Sequence, residues 1–146
     1  MLRSLCLGLC LLVAACRPAA PVTLDALPVP PSALDEPAGA AARTRAGLAV
    51  TAMRSDLRDR SGTLEARTVP LLEGTTWGEV EAFYEDAFGA GALAAAGFER
   101  ETAASSPGTY RLAVWERGRR DAVGVAWVEG PPEDPQPVLV LLRSPR

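Results

Sequence analysis

The chain has no histidine, lysine, asparagine or isoleucine. The first two absences remove most of the side chains that act as a general base or activated nucleophile near neutral pH. A hydrolase built on this sequence would have to run on Asp and Glu alone, so no enzymatic activity and no catalytic residue are expected. Lysine, asparagine and isoleucine have AT-rich codons, and GC-rich coding explains their absence more economically than selection. An all-arginine basic set is therefore no argument by itself for phosphate or nucleic-acid binding. Cysteine occurs only at positions 6, 10 and 16, which leaves no downstream thiol for a disulfide, a metal site or a nucleophile. No cofactor or metal is expected. No apolar run reaches the ~20 residues that a membrane-spanning helix needs. The net charge of −3 lacks the strongly basic footprint of a nucleic-acid-binding protein.

What is present begins at the N-terminus. Arg3, an apolar stretch of about twelve residues, and the small pair Ala14 and Ala15 have the three-part layout of a cleavable export signal. The segment Val13-Ala14-Ala15-Cys16 resembles the lipobox of bacterial lipoproteins, an aliphatic and two small residues before a cysteine. That resemblance implies removal of residues 1–15, a thioether-linked diacylglycerol and palmitoyl-type acylation at Cys16. Each buried methylene adds about 0.8 kcal/mol to membrane residence, so two or three acyl chains imply permanent anchoring. Arg17 stands where lipoproteins retained at an inner membrane usually carry Asp, so by the same resemblance an outer-membrane or cell-surface destination is favoured. Loss of Arg3 from the 15 basic residues leaves 14 against 18 acidic ones. The expected partners are the membrane, through its lipid anchor, and an envelope protein; the oligomeric state is left open.

Residues 17–43 are rich in Pro and Ala, with prolines at 18, 21, 28, 30, 31 and 37. Proline lacks the N–H of a ladder and restrains its predecessor, which predicts an extended tether that holds the domain off the membrane. At about 3.1 Å per residue it would reach at most roughly 80 Å. Residues 22–24 and 33–35 are the pieces able to dock, but a solvated linker is the preferred reading. Residues 44–146 suffice for one hydrophobic core and hence one domain.

Within that domain, Thr76 and Glu79 have capping-box spacing. Val80, Phe83, Tyr84, Ala87 and Phe88 then form one apolar stripe, predicting a helix from 77 to about 88, extended weakly to 96 and ended by Gly97. Residues 110–116, 121–128 and 138–142 read as strands, and 64–72 as another. A two-residue turn at Gly118-Arg119 would pair Arg117 with Arg120 and gather Tyr110, Leu112, Val114, Val123, Val125 and Trp127 on one face. Residues 48–53 read as a strand or, over 46–57, as a helix; the strand is preferred. The sum is an α+β domain, an antiparallel sheet of four to six strands with one main helix packed on one face. The Val-x-x-Phe-Tyr helix followed by Gly97-Phe98 resembles small bacterial envelope lipoproteins, and that resemblance implies no activity.

Four features bear a functional reading. Glu79, Glu81, Glu85 and Asp86 form an acidic helix face, best read as solvated, since Glu81 and Glu85 at i and i+4 repel. Arg117, Arg119 and Arg120 at a hairpin tip are candidate partner-binding residues able to grip anions bidentately. Trp115 is the candidate indole for a partner patch, on a sheet face that either has a helix close against it or is a shallow surface with one exposed indole; Trp77 is placed at the helix start and Trp127 in the core. A rival reading makes the domain a carrier of a small apolar ligand or lipid, in a helix–sheet pocket lined by Phe83, Phe88, Leu112 and Trp127.

Overall fold

The computed structural model describes residues 21–56, 63–101, 110–118 and 121–144. Its elements are α1 (Ala40–Asp56), β1 (Glu65–Pro70), α2 (Trp77–Gly89), β2 (Glu99–Glu101), β3 (Tyr110–Arg117), β4 (Asp121–Val128) and β5 (Val138–Ser144). The strands form one five-stranded antiparallel sheet in the order β1-β5-β4-β3-β2. Strands β2 to β5 run as a meander, and the last of them returns beside β1. The chain thus crosses from one edge of the sheet to the other between β1 and β2, and α2 makes that crossing over one face. The fold class is α+β, with α2 packed against an antiparallel sheet.

Helix α2 starts as its sequence requires. The Thr76 hydroxyl accepts from the Glu79 backbone N–H at 3.4 Å, and the Glu79 carboxylate accepts from the Thr76 backbone N–H at 2.7 Å. These reciprocal bonds satisfy donors that a helix start otherwise leaves free. The Thr76 backbone N–H first, and second the Thr76 hydroxyl, which donates to Glu79 Oε2 at 2.9 Å, hold the Glu79 carboxyl below the ordinary range for glutamate. Val80, Tyr84, Ala87 and Phe88 are the buried stripe. A 3-10 turn at Ala94–Ala96 then ends on Gly97, whose φ of 70° is left-handed.

Residues 48–53, expected as a strand, are helical. The buried stripe is Ala42, Ala46, Ala49 and Met53, at helical spacing, while Leu48 is 69% exposed. A stripe of alanines carries little hydrophobic contrast, so the apparent alternation around Leu48 and Val50 dominated the pattern. Alanine nevertheless has the highest helix propensity and lets a helix approach a sheet closely. Helix α1 covers the second face, packing with Tyr110, Leu112, Val114, Val128, Val140 and Leu142. The first face, under α2, carries Ala113, Trp115, Val123, Val125, Leu139 and Leu141.

Double coverage also corrects the hairpin register. Arg117 pairs with Asp121, not Arg120, so the connection has three residues, and Gly118 has a left-handed φ of 67°. Tyr110, Leu112 and Val114 therefore face α1, whereas Val123 and Val125 face α2. The expected register would have set two arginines opposite each other, which destabilises a strand pair, whereas the observed one sets Arg117 opposite a carboxylate. With a helix on each face, apolar side chains on both sides of β3 and β4 carry no penalty.

The expected tether is corrected as well, because residues 22–38 are part of the domain. Val22 and Leu27 are buried in the α2-side core, and Ala38 in the α1-side core. Ala33 forms a β-bridge with Leu71, flanked by Leu34 N–H to the Pro70 carbonyl (2.9 Å) and Leu72 N–H to the Ser32 carbonyl (2.8 Å). Prolines keep this stretch extended before it docks, so little chain entropy is lost on docking, and its carbonyls remain free to accept. Among the described residues, no helix is long and apolar enough to cross a membrane.

Candidate functional site

The residues expected to meet partners separate in the structure. Cys16, Arg119 and Arg120 lie outside the described residues. Of the two alternatives for the Trp115 face, the structure shows the helix-covered one, and Trp115 is only 2% exposed. It stacks on Phe88 with ring centroids 4.7 Å apart and also contacts Tyr84. It lies on the face of β3 opposite Tyr110, Leu112 and Val114, and α2 covers that face. Trp115 is thus a core residue, and the proposed partner patch loses its aromatic member.

Arg117 is a neighbour of that core rather than a free hairpin cation. Its Nε and Nη2 both donate to Asp121 Oδ2, at 2.9 and 2.6 Å, and its Nη1 donates to the Ala96 carbonyl at 2.9 Å. The guanidinium lies 4.8 Å from the centroid of Phe98, within the range of a cation–π contact.

Asp121 has a second arginine partner that sequence reasoning missed. Arg143 on β5 forms a close ion pair with Asp121 Oδ1, off the hydrogen-bond direction. Arg143 Nε donates to the Val22 carbonyl at 2.7 Å, and its Nη1 donates to the carbonyls of Ala122 and Ser144. The Arg143 and Asp121 side chains are only 5% and 1% exposed, so these charges are desolvated and depend on one another. Removing one partner from such a cluster costs about 3–5 kcal/mol, because the other is left buried and uncompensated. The sequence did contain a signal: a lone arginine at the end of the apolar run Val138–Leu142 must be either solvated or paired.

The acidic face of α2 is arranged as expected in one respect and resolved in another. Glu81 and Glu85 are exposed enough to be hydrated, yet Arg100 on β2 binds both. Its Nη2 donates to Glu81 Oε1 at 2.6 Å and its Nη1 to Glu85. The same guanidinium sits 4.9 Å from the Trp115 ring centroid. A cation between the two carboxylates offsets their repulsion and ties α2 to the β2 edge. These carboxylates are engaged structurally.

The remaining indoles are half-buried. Trp77 packs on the α2-side core, and Trp127 Nε1 donates to the Thr75 carbonyl at 3.1 Å. Tyr84 is fully buried, and its hydroxyl donates to the Pro28 carbonyl at 2.7 Å. Burial pushes its phenol well above the ordinary tyrosine range, an effect offset in part by the Arg67 charge. Arg67 lies half-buried on β1, opposite Leu141 and so on the α2 side of the sheet.

The four residues expected to line a carrier pocket do not share a compartment. Phe83, Phe88 and Trp127 belong to the α2 side, while Leu112 packs under α1. The sheet stands between them, and Trp115, Tyr84 and Phe98 occupy the space beside Phe88. Among the described residues, no group of three His, Cys, Asp or Glu side chains is placed to hold a metal ion.

The class that these observations define is an α+β domain with an antiparallel sheet between two helices, sealed along one side by its own N-terminal segment. Compared with protein-family models, with curated proteins and with solved structures, the chain matches none.

Proposed function

We propose that this chain is a lipid-anchored protein of the bacterial cell envelope, and that its domain is a non-enzymatic binding or structural module. The observation that carries the reading is Val13-Ala14-Ala15-Cys16 at the end of a short, singly charged apolar segment. A run too short to remain in the bilayer, ending in small residues and a cysteine, is the substrate that lipoprotein maturation requires. The domain adds support of a different kind. Glu81, Glu85 and Asp121 are engaged by arginines, and the large aromatic rings pack in or against the core. Arg17 after the cysteine favours an outer-membrane or surface location. The carrier reading is weaker, since its lining residues are divided by the sheet.

Metabolic labelling with a fatty-acid analogue, on wild type beside Cys16→Ser, tests the proposal. Label on the wild type alone, with the variant shifted out of the membrane fraction, is expected. Unlabelled wild type, together with a variant that still partitions fully with membranes, would remove the anchor.

A further inference from the structure

We infer that residues 22–34 hold the domain against the bilayer, with the end of the sheet that carries Arg117, Asp121 and Arg143 facing the lipid headgroups. The inference rests on the lipid anchor proposed above and concerns what the anchored domain does at the membrane. The attachment point is Cys16, and the first fixed point of the domain is Val22. Its carbonyl is held by Arg143 Nε at 2.7 Å, and its side chain is 9% exposed. Further along, Leu27 is 2% exposed and the Pro28 carbonyl accepts from Tyr84. The chain between the proposed attachment point and this first held residue is therefore six residue steps long, not the whole Pro/Ala-rich stretch.

Fully extended, six residue steps span about 20 Å. A domain of this length is about 35 Å across, from the size scaling of compact chains. A leash shorter than the domain's diameter cannot let it turn over, so the side bearing Val22 stays toward the membrane. Strand register identifies that side. Arg143 near the end of β5 lies opposite Glu65 at the start of β1, and Asp121 at the start of β4 lies opposite Arg117 at the end of β3. The far end carries the β4–β5 connection with Glu133 and Asp134, where Arg45 Nη1 binds Asp134 Oδ2 at 2.6 Å. The near end, where Val22 is held by Arg143, faces the headgroups, and the far end is the surface presented to the surrounding space.

The geometry can be read by energy transfer on the acylated chain, purified from its host and reconstituted in phosphatidylglycerol and phosphatidylethanolamine vesicles that carry a headgroup acceptor dye. The thiol of an acylated Cys16 is blocked, and the mature sequence has no other cysteine, so one introduced cysteine takes the donor. Glu65→Cys marks the near end and Glu133→Cys the far end; both positions are exposed. Several-fold stronger transfer from position 65 than from 133 is expected. Inserting about twenty Gly/Ser residues after Arg17 should bring that ratio toward one, because a flexible chain of that length adds roughly 25 Å of mean reach. Acylation and vesicle flotation are read on the same samples. Acylated, floating protein with a ratio near or below one overturns the clamped orientation and leaves the anchor intact. Protein that is neither acylated nor floating overturns both.

Discussion

The Arg143 guanidinium donates to the carbonyl of Val22 across 121 positions of sequence, at 2.7 Å. One bond thus joins the last strand to the first fixed residue of the domain, and the same side chain carries the ion pair with Asp121. Ordering of the N-terminal segment and compensation of a buried carboxylate are consequently coupled.

Replacing Arg143 should break both at once. Arg143→Met keeps the length of the side chain but leaves Asp121 with Arg117 as its arginine partner and the Val22 carbonyl without its donor. A loss of about 3–5 kcal/mol is expected from urea unfolding, with faster proteolytic cleavage among residues 21–34. Unchanged cleavage in that segment would show that Val22 is held by other contacts.

The buried Tyr84 hydroxyl makes stability depend on alkaline pH. Its folded-state value is raised by burial above the ordinary 10.0, so the unfolded chain loses this proton first as pH rises. The stabilising contribution is complete below about pH 10 and declines above it. Tyr84→Phe should flatten the decline between about pH 9.5 and 11.5, and should cost about 1 kcal/mol at neutral pH through the lost bond to Pro28. Equal slopes for the two proteins would exclude Tyr84 as the source.

At the opposite end of the titration range lies the cap of α2. The Glu79 carboxyl is held below its ordinary value of 4.5 by Thr76, so its contribution is present above that value and fades as pH falls through the depressed range. Thr76→Ala should therefore lower the melting temperature at pH 7 and have a smaller effect near pH 3. An identical shift at both pH values would mean that the carboxylate takes no part.

Two glycines separate helix from loop. A Cβ at Gly47, exposed in the middle of α1, meets nothing within 4 Å, whereas one at Gly130 would clash with the Asp134 carbonyl oxygen and the Pro135 backbone. Gly47→Ala should stabilise by about 0.5–1 kcal/mol through helix propensity. Gly130→Ala must displace backbone and should destabilise by about 1–3 kcal/mol. Since the gain at position 47 depends on helix, a destabilised Gly47→Ala would restore the strand reading of residues 48–53.

Much of the domain was legible locally. Thr76 and Glu79 announced the start of α2, and the stripe from Val80 to Phe88 oriented it, because a cap and a helical period are written within about four residues of each other. Four of the strands were visible for the same reason. Helix α1 was not, since its buried face is alanine and methionine and its exposed face includes Leu48. The short β2 also escaped, three residues whose sequence Glu-Arg-Glu has no apolar pattern at all.

The sequence by itself determined which side chains this protein lacks, the candidate attachment point at Cys16, the α+β class and the position of α2. Each of these is a matter of composition or of near neighbours. Only the tertiary structure decided that the proline-rich segment belongs to the domain, that Trp115 lies inside, and that Arg117 and Arg143 converge on Asp121. The register of β3 and β4 depended on whether one or both faces of the sheet were covered, and α1, which covers the second face, packs against strands far away in sequence. The clamp from Arg143 to Val22 likewise joins residues 121 positions apart, and no local pattern encodes such a contact.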